Sequence, residues 1–120
     1  MPTILAIDDG RIGLIARKKV LESAGYQVLA ASGGIQGLRL LEDHAVDLVL
    51  MDCQLPESGS QLRRRMKACK PKVLIVILSG ITELPEDMSD ADLFLSKLEH
   101  PTAILDKIAD LLRCPNAKAA

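Results

Sequence analysis

Five side chains of this 120-residue sequence have types and spacings that would do chemistry if the fold gathered them: the adjacent Asp8 and Asp9, then Asp52, Ser79 and Lys97. Carboxylates crowded together repel unless one is protonated or a cation joins them. A hard divalent ion is the economical partner. Mg2+ suits the set, because it takes one or two carboxylates, keeps several waters and leaves a position for a phosphoryl oxygen. Asp52 would then act as a nucleophile toward phosphorus, with the metal offsetting charge on the transferring group. Lys97 would hold a phosphoryl oxygen as a point charge, and Ser79 would do so as a hydroxyl donor. Taken singly, each acid has a plainer use: Asp8 or Asp9 as a helix N-cap, Asp52 as the start of a turn.

Such a gathering needs elements that end on one rim. Four short apolar runs read as buried strands, Thr3–Ile7, Gln27–Ala31, Asp47–Met51 and Val73–Leu78, with a weaker fifth at Asp92–Leu95. Between them lie apolar residues at helical spacing: Ile12, Ile15, Val20 and Ala24; Ile35, Leu38 and Leu41; Leu62, Met66 and Cys69; and Ile104, Ile108, Leu111 and Leu112. Alternating strands and helices, with strand runs lacking polar alternation, predict an α/β fold: a doubly wound, five-stranded parallel sheet covered on both faces. Gly25 closes the first helix, Gly33 and Gly34 lead into the second, and Pro101 fits the first turn of the last. The stretch from Ile81 to Ala91 carries Thr82, Pro85, Asp87, Ser89 and Asp90, which leave only a shortened fourth helix. Ligands of open parallel sheets collect at the carboxyl ends of the strands. Asp8 and Asp9 follow the first strand, Asp52 the third, Ser79 and Gly80 the fourth, and Lys97 the fifth.

Composition narrows the field. Fifteen Lys and Arg against 16 Asp and Glu give a net charge of -1, so no global field draws nucleic acid or an anionic membrane. The longest apolar run, six residues at Val73–Leu78, is far short of the roughly 20 a spanning helix needs. Cys53, Cys69 and Cys114 lack CxxC spacing and suit free thiols in a reducing cytoplasm, with Cys69 expected as a small buried hydrophobe. Arg63, Arg64, Arg65, Lys67, Lys70 and Lys72 read as a solvated basic face. Gly33, Gly34 and Gly37 do not form GxGxxG and are better explained by helix initiation and close packing. Residues 1–114 make one domain, and 115–120 a flexible tail.

In their order and spacing, Ile7-Asp8-Asp9, Gly25-Tyr26-Gln27-Val28, Asp47-Leu48-Val49-Leu50-Met51-Asp52 with Leu55-Pro56, Leu78-Ser79-Gly80 and Phe94-Leu95-Ser96-Lys97 resemble the response-regulator receiver domain of two-component signalling. The resemblance runs from about Thr3 to Leu112 and implies a flavodoxin-like strand order, 2-1-3-4-5. It makes Asp52 the phospho-acceptor, served by a sensor histidine kinase or phosphotransfer protein. Asp9 becomes a direct Mg2+ ligand and Asp8 acts through metal-bound water. Asp52 and the backbone carbonyl of Gln54 complete the metal site. Ser79 takes the switch hydroxyl position, Lys97 the family's lysine, and Phe94 the aromatic that turns inward on activation. The implied partners are an output domain or protein on the face built from the fourth helix, fifth strand and last helix, and a second copy in a homodimer. The implied chemistry is self-catalysed phosphoryl transfer and dephosphorylation, not turnover of external substrates.

The sequence departs from the pattern in four places. Leu98 stands where the family usually has a cis-proline, and a cis bond before a non-proline residue costs about 2.5–4 kcal/mol. The loop after Asp52 reads Glu57-Ser58-Gly59-Ser60, with its glycine one place early. The third- and fourth-helix regions are a few residues short, and Phe94 lacks the hydroxyl of a tyrosine. Three other functions compete. A Mg2+-dependent phosphohydrolase would want a second acid two residues after its nucleophile, where Gln54 stands. A degenerate receiver would serve as a constitutive interaction module. A dinucleotide-binding half-domain would need glycines at the turn that Asp8 and Asp9 occupy.

Overall fold

The computed structural model describes residues 1–52, 59–80 and 91–113. Its strands are β1 (Thr3–Ile7), β2 (Gln27–Ala31), β3 (Leu48–Asp52), β4 (Leu74–Ser79) and β5 (Leu93–Ser96). Its helices are α1 (Arg11–Ser23), α2 (Gly34–Asp43), α3 (Gly59–Cys69) and α4 (Pro101–Arg113). Every strand pair is parallel, as the apolar runs predict, and the order is β2-β1-β3-β4-β5, as the resemblance implies. The expected short helix over Ile81–Ala91 falls almost wholly outside the described residues, as do Cys53, Gln54, Cys114 and the 115–120 tail.

Alternation along the strands divides the core in two. Ile4, Ala6, Leu48, Leu50, Val76 and Leu78 face α1 and α4, meeting Leu14, Leu21, Ile108 and Leu111. Leu5, Ile7, Val49, Met51, Ile75 and Ile77 face α2 and α3, meeting Leu38, Leu41, Leu62 and Met66. Every residue of β3 and β4 is buried, which is why these strands read as unbroken apolar runs. Two glycines are indispensable to this packing. Gly25 ends α1 at φ +96°, a left-handed conformation in which side chains are strained. Gly37 lets α2 lie against β1, since a Cβ there would sit 2.4 Å from Ile7 Cδ1.

Several expectations need correction. β3, β4 and β5 each begin and end one residue later than the apolar runs suggest, because the ladder pairs Asp52 with Leu78 and Ser79 with Ser96. Backbone pairing does not register side-chain polarity. On α1 the core-facing residues are Leu14 and Leu21, seven apart, whereas Ile12 and Ile15 are exposed and Val20 only half-buried. Ile12 lies roughly half a turn round the helix from Leu14, so both cannot face the sheet. Ile35 is likewise exposed, and α2 instead buries Gly34, Gly37, Leu38 and Leu41. Cys69, expected inside, is an exposed free thiol at the end of α3. The basic run is not uniformly solvated: Arg63 is buried and Lys67 is ion-paired, while Arg64, Arg65 and Lys72 are exposed.

The amino-terminal edge of the sheet is closed by two acids. Asp47 Oδ2 accepts the Thr3 N–H at 2.8 Å. Asp92 Oδ2 accepts both the Ile75 N–H and Lys67 Nζ, each at 2.8 Å, and Lys67 Nζ also donates to the Val73 carbonyl at 2.6 Å. Among the described residues no helix is long and apolar enough to cross a membrane.

Candidate functional site

At the opposite, carboxyl-terminal rim the sequence-predicted acids converge. Asp8 leaves β1, its N–H still bonded to the Ala31 carbonyl at 3.2 Å, and Asp52 is the last residue of β3. Neighbouring parallel strands therefore deliver Asp8, Asp9 and Asp52 to one place, and each offers a carboxylate oxygen within 4.8 Å of the others. Asp8 and Asp52 are buried, whereas Asp9 is exposed. Neither Asp8 nor Asp9 caps α1, whose N-cap is Gly10 with no side-chain cap bond.

Lys97 reaches this cluster from the end of β5. Its Nζ lies 2.7 Å from Asp52 Oδ2 and 4.0 Å from Asp8 Oδ2. The Lys97 N–H bonds the Ser79 carbonyl at 2.7 Å, which ties the lysine to the end of β4. The Lys97–Leu98 peptide is trans, and the lysine reaches Asp52 without the proline the family usually carries. Ser79 is buried at the end of β4, one residue beyond the partner of Asp52 in the ladder. Phe94 pairs with Ile77 in the sheet and packs, half-buried, on the core beneath α2 and α3. Gln54, the fourth expected ligand, lies outside the described residues.

One member of the site was missed by the sequence reading. Arg17 Nη1 donates to Asp8 Oδ2 at 2.7 Å, while Asp8 Oδ1 accepts the Gly10 N–H at 2.8 Å. Burial pushes the Asp8 carboxyl up, but the Arg17 and Gly10 hydrogen bonds and the charges of Arg17 and Lys97 outweigh it and hold the group below its ordinary value. Arg17 stands three residues after Leu14 and four before Leu21, so it flanks the buried stripe of α1. A cation at such a position was the available signal. Among the described residues three carboxylates thus gather with Arg17 and Lys97 at the rim, an oxygen-rich set suited to a hard divalent ion.

The model of the response regulator receiver domain family matches residues 4–109. The chain belongs to this family. Among curated relatives, the receiver is 33% identical over 105 residues to the autoinducer 1 sensor kinase/phosphatase LuxN of Vibrio campbellii, covering 86% of this chain and 12% of that protein. The chain thus spans only a small part of the length of this relative. Among solved structures, a response regulator receiver domain protein from Clostridium thermocellum superposes with a TM-score of 0.87 at 28% identity, covering 97% of this receiver and 98% of that chain. The response regulator TrrA of Thermotoga maritima, solved in complex with Mg2+-BeF, shares the fold with a TM-score of 0.85 at 24% identity, covering 92% and 99% of the two chains. The family is a signalling domain of two-component systems rather than a conventional enzyme.

Proposed function

We propose that this receiver is a phospho-accepting switch in which a carboxylate oxygen of Asp52 attacks the phosphorus of a phosphohistidine on a sensor kinase or phosphotransfer protein. The new bond joins Asp52 oxygen to phosphorus, the histidine N–P bond breaks, and the imidazole leaves with the electron pair. The observation that carries this reading is the convergence of Asp8, Asp9 and Asp52 with Lys97 Nζ 2.7 Å from the Asp52 carboxylate. The donor set fits Mg2+, the ion present with a phosphoryl-like BeF group in the Thermotoga maritima neighbour. Asp9, Asp52 and the Gln54 carbonyl would hold it directly and Asp8 through water. When bound, it would supply charge compensation to the phosphoryl oxygens.

The chain's own groups do the rest. Lys97 exchanges its carboxylate partner for a phosphoryl oxygen, and Ser79 supplies a hydroxyl donor from the neighbouring strand. That rearrangement pulls on the end of β4 and on β5, and Phe94, half-buried on β5, follows it. The surface so altered includes the α4 and β5 side, where an output domain, a protein partner or a second copy would read the change. The phosphodonor would meet the opposite side of the rim. Ile12 and Ile15 on α1 and Ile35 in the first turn of α2 are exposed, and they follow the carboxyl ends of β1 and β2. Exposed large apolar residues collected beside a reactive group mark a protein contact. The test is incubation with Mg2+ and an acyl phosphate, read by intact mass. One added phosphate is expected in the wild type and none in Asp52→Asn; an unmodified wild type contradicts the proposal.

A further inference from the structure

We propose that Arg17 is a resident counter-cation of the acidic rim that competes with the divalent ion and so sets the affinity of the site for metal. The inference rests on the Mg2+ reading above. It starts from the placement of a guanidinium beside the buried stripe of α1, its side chain only 18% exposed, with Nη1 2.7 Å from Asp8 Oδ2. Burying most of an arginine is unfavourable unless its charge is paired, and Asp8, itself 5% exposed, is the partner the structure supplies. Asp8 has little else to offer an incoming ion. Its Oδ1 is engaged by the Gly10 N–H, and its Oδ2 is shared between Arg17 and, at 4.0 Å, Lys97.

Without metal, this arrangement neutralises carboxylates that would otherwise repel across less than 5 Å. With metal, the same positive charge stands beside a second one and opposes it through a partly desolvated environment. Space exists for the arginine to yield. A cleft of about 340 Å³ opens between α1 and α4, and Arg17 forms part of its wall together with Gly13, Ala16, Leu105 and Lys97. Gly13 and Ala16 are the small residues of α1 that leave this room. Lys97, another cation of the rim, differs in partner: it pairs with Asp52, the proposed acceptor, at 2.7 Å, whereas Arg17 pairs with Asp8.

Calorimetric titration with Mg2+, with no phosphodonor present, tests the proposal. Arg17→Gln, which keeps a hydrogen-bond donor and removes the charge, is expected to bind Mg2+ roughly tenfold more tightly than wild type. Arg17→Lys, which keeps the charge, should stay near the wild-type affinity. Equal affinities for wild type and Arg17→Gln overturn the proposal while leaving the metal site intact. No heat of binding in either protein overturns the metal site itself, and the proposal with it. Should Arg17→Gln fail to fold by circular dichroism, the Arg17 Nε–Hε resonance of the wild type takes its place. Movement of that resonance with the same saturation as Mg2+ binding supports competition, and a stationary resonance overturns it.

Discussion

The two ends of this sheet use the same residue type for opposite purposes. At the amino-terminal edge, Asp47 and Asp92 each accept a backbone N–H from an adjoining strand, and Asp92 also takes Lys67. Their carboxylates are matched to donors and stitch the ends of neighbouring strands. At the carboxyl-terminal rim, Asp8, Asp9 and Asp52 bring carboxylate oxygens within 4.8 Å of one another, with Arg17 on Asp8 and Lys97 on Asp52. The difference is one of crowding: acids set apart on backbone donors stitch the fold, and acids gathered within 4.8 Å of one another are placed to share a ligand.

The largest expected effect separates the ends completely. Asp9→Ala should abolish Mg2+ binding by calorimetry, yet change the unfolding free energy of the metal-free protein by less than about 0.5 kcal/mol, because its exposed side chain supports no packing. A large stability loss would erase the distinction. Asp92→Ala, at the other edge, should lower stability in urea by about 2 kcal/mol, since it leaves the Ile75 N–H without its acceptor and removes the counter-charge of Lys67. Phosphate addition from an acyl phosphate should be retained, and its loss would show that the two ends are coupled.

A smaller effect sharpens the picture of the rim. Ile15→Asp, an exposed position, should slow phosphoryl transfer from a kinase or phosphotransfer protein by roughly tenfold, about 1.4 kcal/mol, while leaving modification by an acyl phosphate unchanged. Equal slowing with both donors would place Ile15 in the fold rather than at a contact. The smallest is a pH effect. The folded Asp8 carboxyl lies below its unfolded value, so its stabilisation is fully present above the unfolded pKa and is lost as pH falls through the folded one. Metal-free protein should therefore lose stability by urea titration as pH falls through the folded Asp8 pKa, and Arg17→Gln should lose less over the same range.

How much of this was legible beforehand varies with the physics of each element. β1 and β2 match their apolar runs residue for residue, whereas β3 and β4 extend through Asp52 and Ser79, whose backbones pair regardless of side chain. The face of α1 was misread because Ile12 and Ile15 satisfy helical spacing as well as Leu14 and Leu21 do. Only docking on β1 and β2 decides between the two stripes. Cys69 was placed inside by the same spacing, but it is exposed at the last position of α3, three residues beyond the buried Met66.

The sequence by itself determined the alternation of strands and helices, the parallel sheet and the polar residues at or just beyond the strand ends, because these follow from apolar periodicity and local turn chemistry. Only the tertiary structure decided that Arg17 would reach Asp8, that Lys97 would rest on Asp52, and that acids would be spread along one edge and gathered at the other. Those are contacts between side chains from different elements, and their distances depend on how helices seat on the sheet, a quantity that no local pattern encodes.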